Sequence, residues 1–301
     1  MRILLTGVTG QVGGALQQPL ATIGSVVAVG RHSLDLSQPE TIAAALDRLR
    51  PDLIVNPAAY TAVDHAEHER DLAFRVNGGA PEAMARWAAN RDVPLVHFST
   101  DYVFDGSGDT PWQEGSVPAP LSVYGASKLA GEQAICDAGA RHLIVRTSWV
   151  YAAEGRNFLR TIARLAHKRV ELRVVSDQWG APTSARIIAS TVVAILKREL
   201  AGTCFRENGG PINLTASGVT SWHGFATAIV TGMKQRGADL VAQRVIPIAT
   251  SDYPTKAVRP LNSRLAPHRL RDAFGIRMPS WQEALDVELN TYFWTSEIQP
   301  R

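Results

Sequence analysis

The sequence predicts an α/β protein in which a doubly wound parallel, Rossmann-like sheet is followed by a smaller mixed α/β C-terminal lobe. Up to Tyr151, short apolar runs alternate with segments of helical periodicity, which is the pattern of βα units in a parallel sheet. Beyond Tyr151 the alternation loosens into shorter runs and turn-rich loops. We therefore divide the chain into a first domain over 1–151, to which a strand from about 170–176 returns, and a second lobe made mainly of 152–301.

Composition and charge exclude several classes of protein. The chain has 301 residues with 45% apolar and 20% charged residues, which is typical of a globular protein with a sizeable core. The net charge is only +3 and the Lys and Arg residues are scattered, so we expect no nucleic-acid partner. No apolar run approaches the roughly 20 residues of a membrane span, and the apolar start is too short for a signal peptide. Cys136 and Cys204 match no metal-ligand spacing, and we expect a reducing, cytoplasmic location.

A glycine-rich turn follows the first predicted strand, Ile3-Leu4-Leu5. Gly7, Gly10 and Gly13 have the spacing Gly-x-x-Gly-x-x-Gly, and a helical pattern begins at Ala15. Glycines let the backbone approach a pyrophosphate, and the N-terminus of a helix favours its negative charge. The order strand, glycine turn and helix therefore predicts a dinucleotide site. The alternative is a glycine-rich turn without a ligand.

The second predicted strand, over 26–29, ends where a site for NAD usually carries an acidic residue for the ribose 2′-hydroxyl. The residues there are Gly30, Arg31 and His32. A cation without an acid favours a 2′-phosphate, so Arg31 predicts NADPH as cofactor, with NADH left open; the alternative is an arginine in solvent. The following residues, Ser37 to Glu40, have the pattern of a capping box at the start of a helix.

Small and polar residues end the third and fourth predicted strands, 53–55 and 95–99. The third leads into Asn-Pro-Ala-Ala-Tyr-Thr at 56–61, and the fourth into Ser99, Thr100 and Asp101. Ligands of open parallel sheets bind at the carboxyl ends of the strands. We therefore expect these residues at the site, against the alternatives that the small residues serve helix packing and that the hydroxyls cap local backbone. The charges between Asp64 and Glu69 are interpreted as a solvated helix face rather than a metal site.

Tyr124 and Lys128 begin a predicted helix and stand four residues apart, hence on one helix face. A cation beside a phenol lowers the phenol pKa from about 10. A tyrosine so tuned can exchange a proton near neutral pH, although the same pair also fits an ordinary helix surface. The fifth predicted strand, 143–145, runs into Trp149, which we take as a site residue because it lies at a strand end.

The second lobe contains fewer diagnostic segments. Helices are predicted over 158–166, over 187–200, after a cap at Ser221, and after a capping box at Ser280 to Glu283. Polar loops are predicted over 177–183 and 253–263. This lobe can cover a cleft on the first domain.

In combination, these segments resemble the extended short-chain dehydrogenase/reductase superfamily and, within it, the dTDP-4-dehydrorhamnose reductase family. The glycine turn and the segment from Val123 to Glu132 are shared across the superfamily. Four further segments are more specific and are spread to the end of the chain: 99–106, 146–151, 177–183 and 259–263. The resemblance implies an NADPH-binding first domain and a substrate-binding second lobe.

The resemblance also implies residue roles. Tyr124 is the implied proton donor, Lys128 orients the nicotinamide ribose and lowers the tyrosine pKa, and Thr100 hydrogen-bonds the reacting oxygen. The implied cofactor contacts are Gly7, Gly10, Gln11, Val12, Gly13, Arg31, Asp35, Leu36, Ala58, Ala59, Tyr60, Thr61, Phe98, Tyr124 and Lys128. The implied substrate contacts are Thr100, Asp101, Tyr124, Trp149, Arg259 and Asn262.

The implied reaction is reduction of the C4 ketone of dTDP-4-dehydro-β-L-rhamnose to dTDP-L-rhamnose, a precursor of lipopolysaccharide and other cell-envelope polysaccharides. Some relatives are thought to dimerise through glutamate-bound magnesium, but Ala15 and Arg186 stand where acids are wanted. We therefore predict no metal, and a homodimer stays open. The alternatives are another nucleotide-sugar reductase or epimerase, or a non-catalytic NADP-binding subunit resembling the regulatory β subunit of methionine adenosyltransferase. A 4,6-dehydratase is disfavoured because Tyr102 stands where those enzymes carry glutamate.

Overall fold

The computed structural model describes residues 1–200 and 204–298. The strands are β1 (Arg2–Leu5), β2 (Ser25–Ala28), β3 (Leu53–Asn56), β4 (Leu95–Thr100), β5 (His142–Thr147), β6 (Val150–Tyr151), β7 (Glu171–Val175), β8 (Trp179–Gly180), β9 (Thr183–Ser184), β10 (Gly210–Asn213), β11 (Thr220–Ser221) and β12 (Arg244–Ile248). The α-helices are α1 (Gln11–Ala21), α2 (Pro39–Leu49), α3 (Val63–Ala66), α4 (Arg70–Phe74), α5 (Ala80–Ala89), α6 (Val123–Asp137), α7 (Phe158–Ala166), α8 (Ala185–Leu200), α9 (Cys204–Asn208), α10 (Trp222–Gln235), α11 (His268–Phe274) and α12 (Trp281–Ile298). A π-helix spans Arg75–Gly79, and 3₁₀ turns span Asp101–Val103 and Thr250–Asp252. None of the described helices is long and apolar enough to cross a membrane.

A six-stranded parallel sheet forms the centre of the molecule, in the order β2-β1-β3-β4-β5-β10. The predicted doubly wound sheet is therefore confirmed. The direction of the strand order reverses between β1 and β3. From β1 the chain first adds β2 on one side, and it then adds β3, β4 and β5 on the other side of β1. The loops that follow β1 and β3 diverge at this point and open a crevice at the carboxyl ends of the strands.

Helices cover both faces of the sheet, as the apolar runs of the strands require. On one face α1 and α8 pack over Ile3, Leu5, Val55 and Val145, together with α11. On the other face α2, α5 and α6 pack over Leu4, Ile54, Leu95 and Ile144, and this layer includes Met84 and Trp87 of α5. Each of the strands β1 to β5 therefore sends alternate side chains into two separate cores.

The strand that returns to this sheet is β10, which pairs with β5. The prediction of a returning strand at about 170–176 is wrong, since β7 pairs instead with β12 in a small two-stranded sheet. The reason lies in β7 itself, where Glu171 and Arg173 are exposed and alternate with buried residues. A strand with one charged face cannot enter a sheet that helices cover on both sides. The described sheet thus takes its last strand from beyond residue 151.

The second lobe packs α7, α10, α12 and β7 around a core that includes Tyr151, Phe225 and Trp281. The predicted caps of α10 and α12 are confirmed: Gly224 N donates to Ser221 Oγ at 3.0 Å, and Ser280 N donates to Glu283 Oε2 at 2.8 Å. The predicted capping box before α2 is wrong. Ser37 Oγ instead donates to Asp35 Oδ1 at 2.7 Å, and α2 begins at Pro39 without a side-chain cap.

Candidate active site

The glycine turn forms a cradle where α1 begins. Gly7 has a φ of +58°, and a β-carbon there would lie 2.9 Å from the Ala58 backbone. A β-carbon on Gly13 would lie 2.1 Å from the carbonyl oxygen of Gly7. The helix begins at Gln11, four residues before the predicted start, and Gly10 at its N-cap provides no side-chain acceptor. Bare backbone at a helix N-terminus suits a pyrophosphate, so the residues of this cradle fit a dinucleotide.

The residues after β2 place a cation at the edge of this crevice. Arg31 is exposed, and its charge lies close enough to contribute to a lowered pKa of Asp35. Hydrogen bonds from the Ser37 side chain and backbone are the larger causes of that lowered pKa. Leu36 is buried next to this turn. The predicted residues Arg31, Asp35 and Leu36 therefore lie together, and the preference for a 2′-phosphate stays a prediction.

The segment after β3 is fixed by a residue that the sequence analysis missed. Asn77, in the π-helix, is 1% exposed; its Oδ1 accepts from Tyr60 N at 2.8 Å and its Nδ2 donates to Tyr60 O at 3.0 Å. The same amide nitrogen donates to Ser127 Oγ at 3.0 Å. Asn77 therefore joins the segment 58–61 to α6, which carries the predicted catalytic pair. Its only signal in the sequence is an asparagine in an otherwise helical pattern.

Thr100, Asp101 and Tyr124 meet at the carboxyl end of β4. Thr100 Oγ1 donates to Asp101 Oδ1 at 3.0 Å, and the Thr100 side chain also hydrogen-bonds Tyr124. The rings of Tyr102 and Tyr124 meet edge to face, with centroids 5.5 Å apart. Three predicted site residues from β4 and α6 are thus brought together, at the N-terminus of a helix that Ser122 caps.

Burial sets the proton affinities at this centre. It raises the pKa of Tyr124, and the charges of Asp101 and Tyr102 raise this pKa further, while the hydrogen bond with Thr100 opposes them. Burial also raises the pKa of Asp101 to about 6, against hydrogen bonds from Ser263 and Thr100. Both groups therefore hold their protons to a higher pH than usual.

Lys128 faces the sheet. Its Nζ donates to the carbonyl oxygen of Phe98 at 2.6 Å and lies 3.0 Å from His97 Nε2. Burial lowers the pKa of Lys128 to about 8, opposed by the charge of Glu132. The prediction that the pKa of Tyr124 is lowered is wrong, because burial of the phenol raises it. The hydrogen-bond contacts of the lysine are with β4.

Several buried polar atoms around this crevice have no hydrogen-bond partner within the described residues. They lie at the start of α1 and at the ends of β4 and β5: Gln11 Oε1, Ser99 Oγ, Thr147 Oγ1 and Ser148 Oγ. Buried polar groups are almost always paired in native proteins. Atoms of this kind, gathered at one end of a sheet, are the partners that a polar ligand needs.

Trp149 follows β5 with a φ of +50°, which is strained for a bulky residue and typical of functional positions. Its indole stacks on Trp222 with centroids 3.8 Å apart. A β-carbon on Gly180 would lie 2.8 Å from this indole. Trp149 therefore lies between the two lobes at a fixed orientation, and its contact with a substrate stays a prediction.

The loop over 253–263 fastens the second lobe to the first. Arg259 Nη2 lies 2.6 Å from Asp64 Oδ2, and its Nη1 donates to the Tyr102 hydroxyl at 3.3 Å. Asp64 Oδ1 also accepts from Ala257 N at 3.0 Å. The interpretation of Asp64 as part of a solvated face is therefore wrong. Arg259 itself lies beside Tyr102, next to the predicted catalytic residues.

Asn262 was predicted to contact the substrate, but its side chain is occupied by the protein. Its Nδ2 donates to the carbonyl oxygens of Ser107 and Thr110 at 3.2 and 2.8 Å. Its Oδ1 accepts from Arg264 Nε at 2.8 Å. With 2% of its surface exposed, Asn262 holds the loop over 107–110 in place. A direct substrate contact is therefore not supported by its geometry.

Comparison with known proteins gives one consistent family. Residues 1–293 match the family model described as RmlD substrate binding domain. The chain is 44% identical over 307 residues to a dTDP-4-dehydrorhamnose reductase of Shigella flexneri, covering 99% of this chain and 100% of that protein. The crystal structure of a dTDP-4-dehydrorhamnose reductase from Clostridium acetobutylicum matches with a TM-score of 0.88 and 33% identity, covering 97% of this chain and 99% of that one. Another, from Bacillus anthracis in complex with NADP, matches with a TM-score of 0.85 and 34% identity, covering 96% and 99%.

Proposed function

Because the chain belongs to the dTDP-4-dehydrorhamnose reductase family, we propose that it reduces the C4 ketone of dTDP-4-dehydro-β-L-rhamnose to dTDP-L-rhamnose with NADPH. The observation that carries the proposal is the meeting of Thr100, Asp101 and Tyr124 at the carboxyl end of β4. Lys128, from the same helix as Tyr124, lies on the Phe98 carbonyl oxygen of that strand. When bound, the reduced nicotinamide supplies the hydride. The product serves dTDP-rhamnose biosynthesis.

Tyr124 provides the proton. Because burial raises its pKa, the hydroxyl keeps its proton at neutral pH, which is the form that a proton donor needs. We assign the Thr100 hydroxyl to hydrogen-bond the same substrate oxygen beside Tyr124.

Separate parts of the crevice hold the two ends of the cofactor. Backbone groups of Gly10, Gln11 and Val12 at the start of α1 bind the pyrophosphate. Arg31 binds the ribose 2′-phosphate, and Asp35 with Leu36 borders the adenine. The segment 58–61, fixed by Asn77, lines the ribose. Lys128 would orient the nicotinamide ribose.

Substrate recognition combines both lobes. Asp101 and Trp149 contact the sugar, and Arg259 provides a cation at the same end of the sheet. The enzyme acts in the cytoplasm, as expected from its cysteine usage. Sedimentation velocity at several concentrations would show whether it forms a homodimer.

The assay that tests the function measures NADPH consumption with dTDP-4-dehydrorhamnose and identifies the product by NMR. The proposal expects turnover and a rhamnose product. A talose product would keep the reductase activity but change its stereochemistry. NADPH binding without turnover above background would contradict the proposal and favour a non-catalytic binding subunit. Parallel assays with NADH would measure the contribution of Arg31 to cofactor choice.

A further inference from the structure

A row of polar side chains crosses the sheet beneath α6. In β1, β3 and β4, the residues on this face belong to the apolar core under α2 and α5: Leu4, Ile54 and Leu95. Two positions further along each chain, the same face carries Thr6, Asn56 and His97. These three side chains are 2%, 0% and 0% exposed. Hydrogen-bonding groups therefore replace apolar ones where the strands approach the crevice.

Each member of the row contacts the next. Thr6 Oγ1 donates to Asn56 Oδ1 at 2.6 Å, and Asn56 Nδ2 lies 3.2 Å from His97 Nδ1. His97 Nε2 in turn lies 3.0 Å from Lys128 Nζ. At the other end, Ala58 N donates to Thr6 Oγ1 at 3.2 Å. The row thus begins at the loop that borders the crevice and ends on the lysine.

Lys128 depends on this row because its nearest acid is engaged elsewhere. Glu132, one helical turn further along, is paired with Arg146 of β5 at 2.5 Å, and both side chains are buried. The titratable groups around the buried Lys128 are therefore His97 of β4 and Glu132, whose charge raises the lysine pKa although it is paired with Arg146. An ammonium has three donors. When one is on Phe98 O and one is on His97 Nε2, the direction of the third is fixed.

We propose that His97, oriented by Asn56, is a positioning residue that aims Lys128 Nζ at the cofactor and couples its protonation to the row. This inference rests on the proposed function. The imidazole acts through the lysine and contacts neither cofactor nor substrate.

The coupling follows from the donors and acceptors of the row. When Asn56 Nδ2 donates to His97 Nδ1, as in this structure, a neutral imidazole carries its hydrogen on Nε2 and donates to an uncharged amine. When the amide turns over, His97 Nδ1 donates to Asn56 Oδ1, and Nε2 accepts from the ammonium. The two orientations of Asn56 therefore correspond to the two charge states of Lys128. Burial keeps the pKa of His97 well below its usual value, so the imidazole itself stays neutral.

Two substitutions distinguish the roles of the two ring nitrogens of His97. The amide of glutamine reaches towards the Nε2 position and that of asparagine towards the Nδ1 position. We expect His97→Gln to stay within about threefold of the wild-type kcat, and His97→Asn to lose about tenfold or more, the size expected for a hydrogen bond to a charged group. The KM for the nucleotide sugar should be unchanged in both. His142→Gln, at the start of β5 and outside the row, is the control for substitution of a histidine.

Equal kcat values for His97→Gln and His97→Asn, whether both normal or both reduced, would overturn the proposal, because a packing role does not distinguish the two nitrogens. Thermal unfolding of each variant shows that folded protein is compared.

A second measurement uses the wild-type protein and needs no turnover: ¹⁵N NMR of labelled histidine across the pKa of Lys128, about 8. The proposal expects the two His97 signals to exchange tautomeric character there without protonation of the ring. Unchanged signals would overturn it. Absence of wild-type turnover would reject the proposed function, while the NMR titration would still decide the coupling.

Discussion

At the scale of single residues, burial decides which form of each acid the cleft contains. Tyr124 and Asp101 both have raised pKa values, with burial as the first cause. The sequence placed Tyr124 and Lys128 on one helix face but gave no burial, so it predicted a lowered phenol pKa. Tyr124 can still act as a proton donor, because its raised pKa keeps the hydroxyl protonated until the substrate oxygen accepts the proton.

Removal of one hydroxyl tests this directly. Tyr124→Phe keeps the ring that packs on Tyr102 and removes the proton donor. We expect turnover to fall at least about a hundredfold, the lower end of general acid–base effects, while the variant still binds NADPH. Steady-state kinetics and a fluorescence titration of NADPH measure the two quantities. Turnover close to that of the wild type would remove Tyr124 from the mechanism.

Asp101 predicts a dependence of stability on pH. Its pKa is raised from 3.8 to about 6 in the folded chain, so between these values the folded state binds more protons than the unfolded state. Stability contributed by this group is therefore lost as pH rises from about 4 to about 6. Relative to wild type, Asp101→Asn should gain roughly 2–3 kcal/mol of unfolding free energy between pH 4 and pH 7. Urea denaturation at both pH values measures the difference. If the unfolding free energies of the wild type and Asp101→Asn changed equally with pH, the pKa of Asp101 would not be raised by folding.

At the scale of elements, the glycines of α1 show how closely the helix packs against the glycine turn. Gly13 and Gly14 are neighbours in one helix, but only Gly13 lies against the carbonyl oxygen of Gly7, and a β-carbon on Gly14 would lie 3.6 Å from Val8 O, an ordinary contact. The sequence predicted the glycine turn from its spacing. It placed the helix start too late, because Gln11 to Gly14 lack apolar periodicity.

A matched pair of alanine substitutions follows from this geometry. Gly13→Ala should cost about 1–3 kcal/mol of stability by overpacking and weaken NADPH binding, because the Gly7 backbone must move. Gly14→Ala should be neutral or stabilising by up to about 1 kcal/mol, since alanine favours a helix. Denaturant unfolding and NADPH titration measure both effects. Equal results for the two variants would show that the close approach at Gly13 is not limiting.

Strand identity was predictable where apolar runs are buried on both faces, as in β1, β3, β4 and β5. The partner of a strand was harder to predict. Leu172, Val174 and Val175 suggested a strand of the large sheet, yet the alternating charges of Glu171 and Arg173 already excluded it. Single buried polar residues such as Asn77 and His97 have no repeating pattern, so their contacts became visible only when distant segments were placed together.

At the scale of the whole molecule, the two lobes are joined at the mouth of the crevice by Arg259 and Asp64. Their side chains are 19% and 37% exposed, which makes this pair better protected from solvent than Glu82 with Arg86 on α5, at 41% and 72%. A link of this kind also places Arg259 beside Tyr102. Lobe attachment and substrate recognition therefore share one arginine.

A double-mutant cycle measures this link. Asp64→Asn and Arg259→Gln, alone and together, should show a coupling energy of roughly 1 kcal/mol in urea denaturation. The same cycle for Glu82 and Arg86 is the control and should give about 0.3–0.5 kcal/mol, as for exposed helix pairs. Coupling no larger than in the control would mean that the lobes are held by the surrounding apolar contacts alone.

The position of β10, far beyond β5 in the chain, has a consequence for folding during synthesis on the ribosome. The strand begins 63 residues after β5 ends, and α8, which covers one face of the sheet, also lies in that interval. At roughly 5–20 residues per second, β5 waits several seconds for its neighbour. During that time its outer edge is unpaired, and the apolar face that Ile188 and Val192 later cover is bare. A nascent chain stalled near residue 151 should therefore bind chaperones, and the complete chain should not.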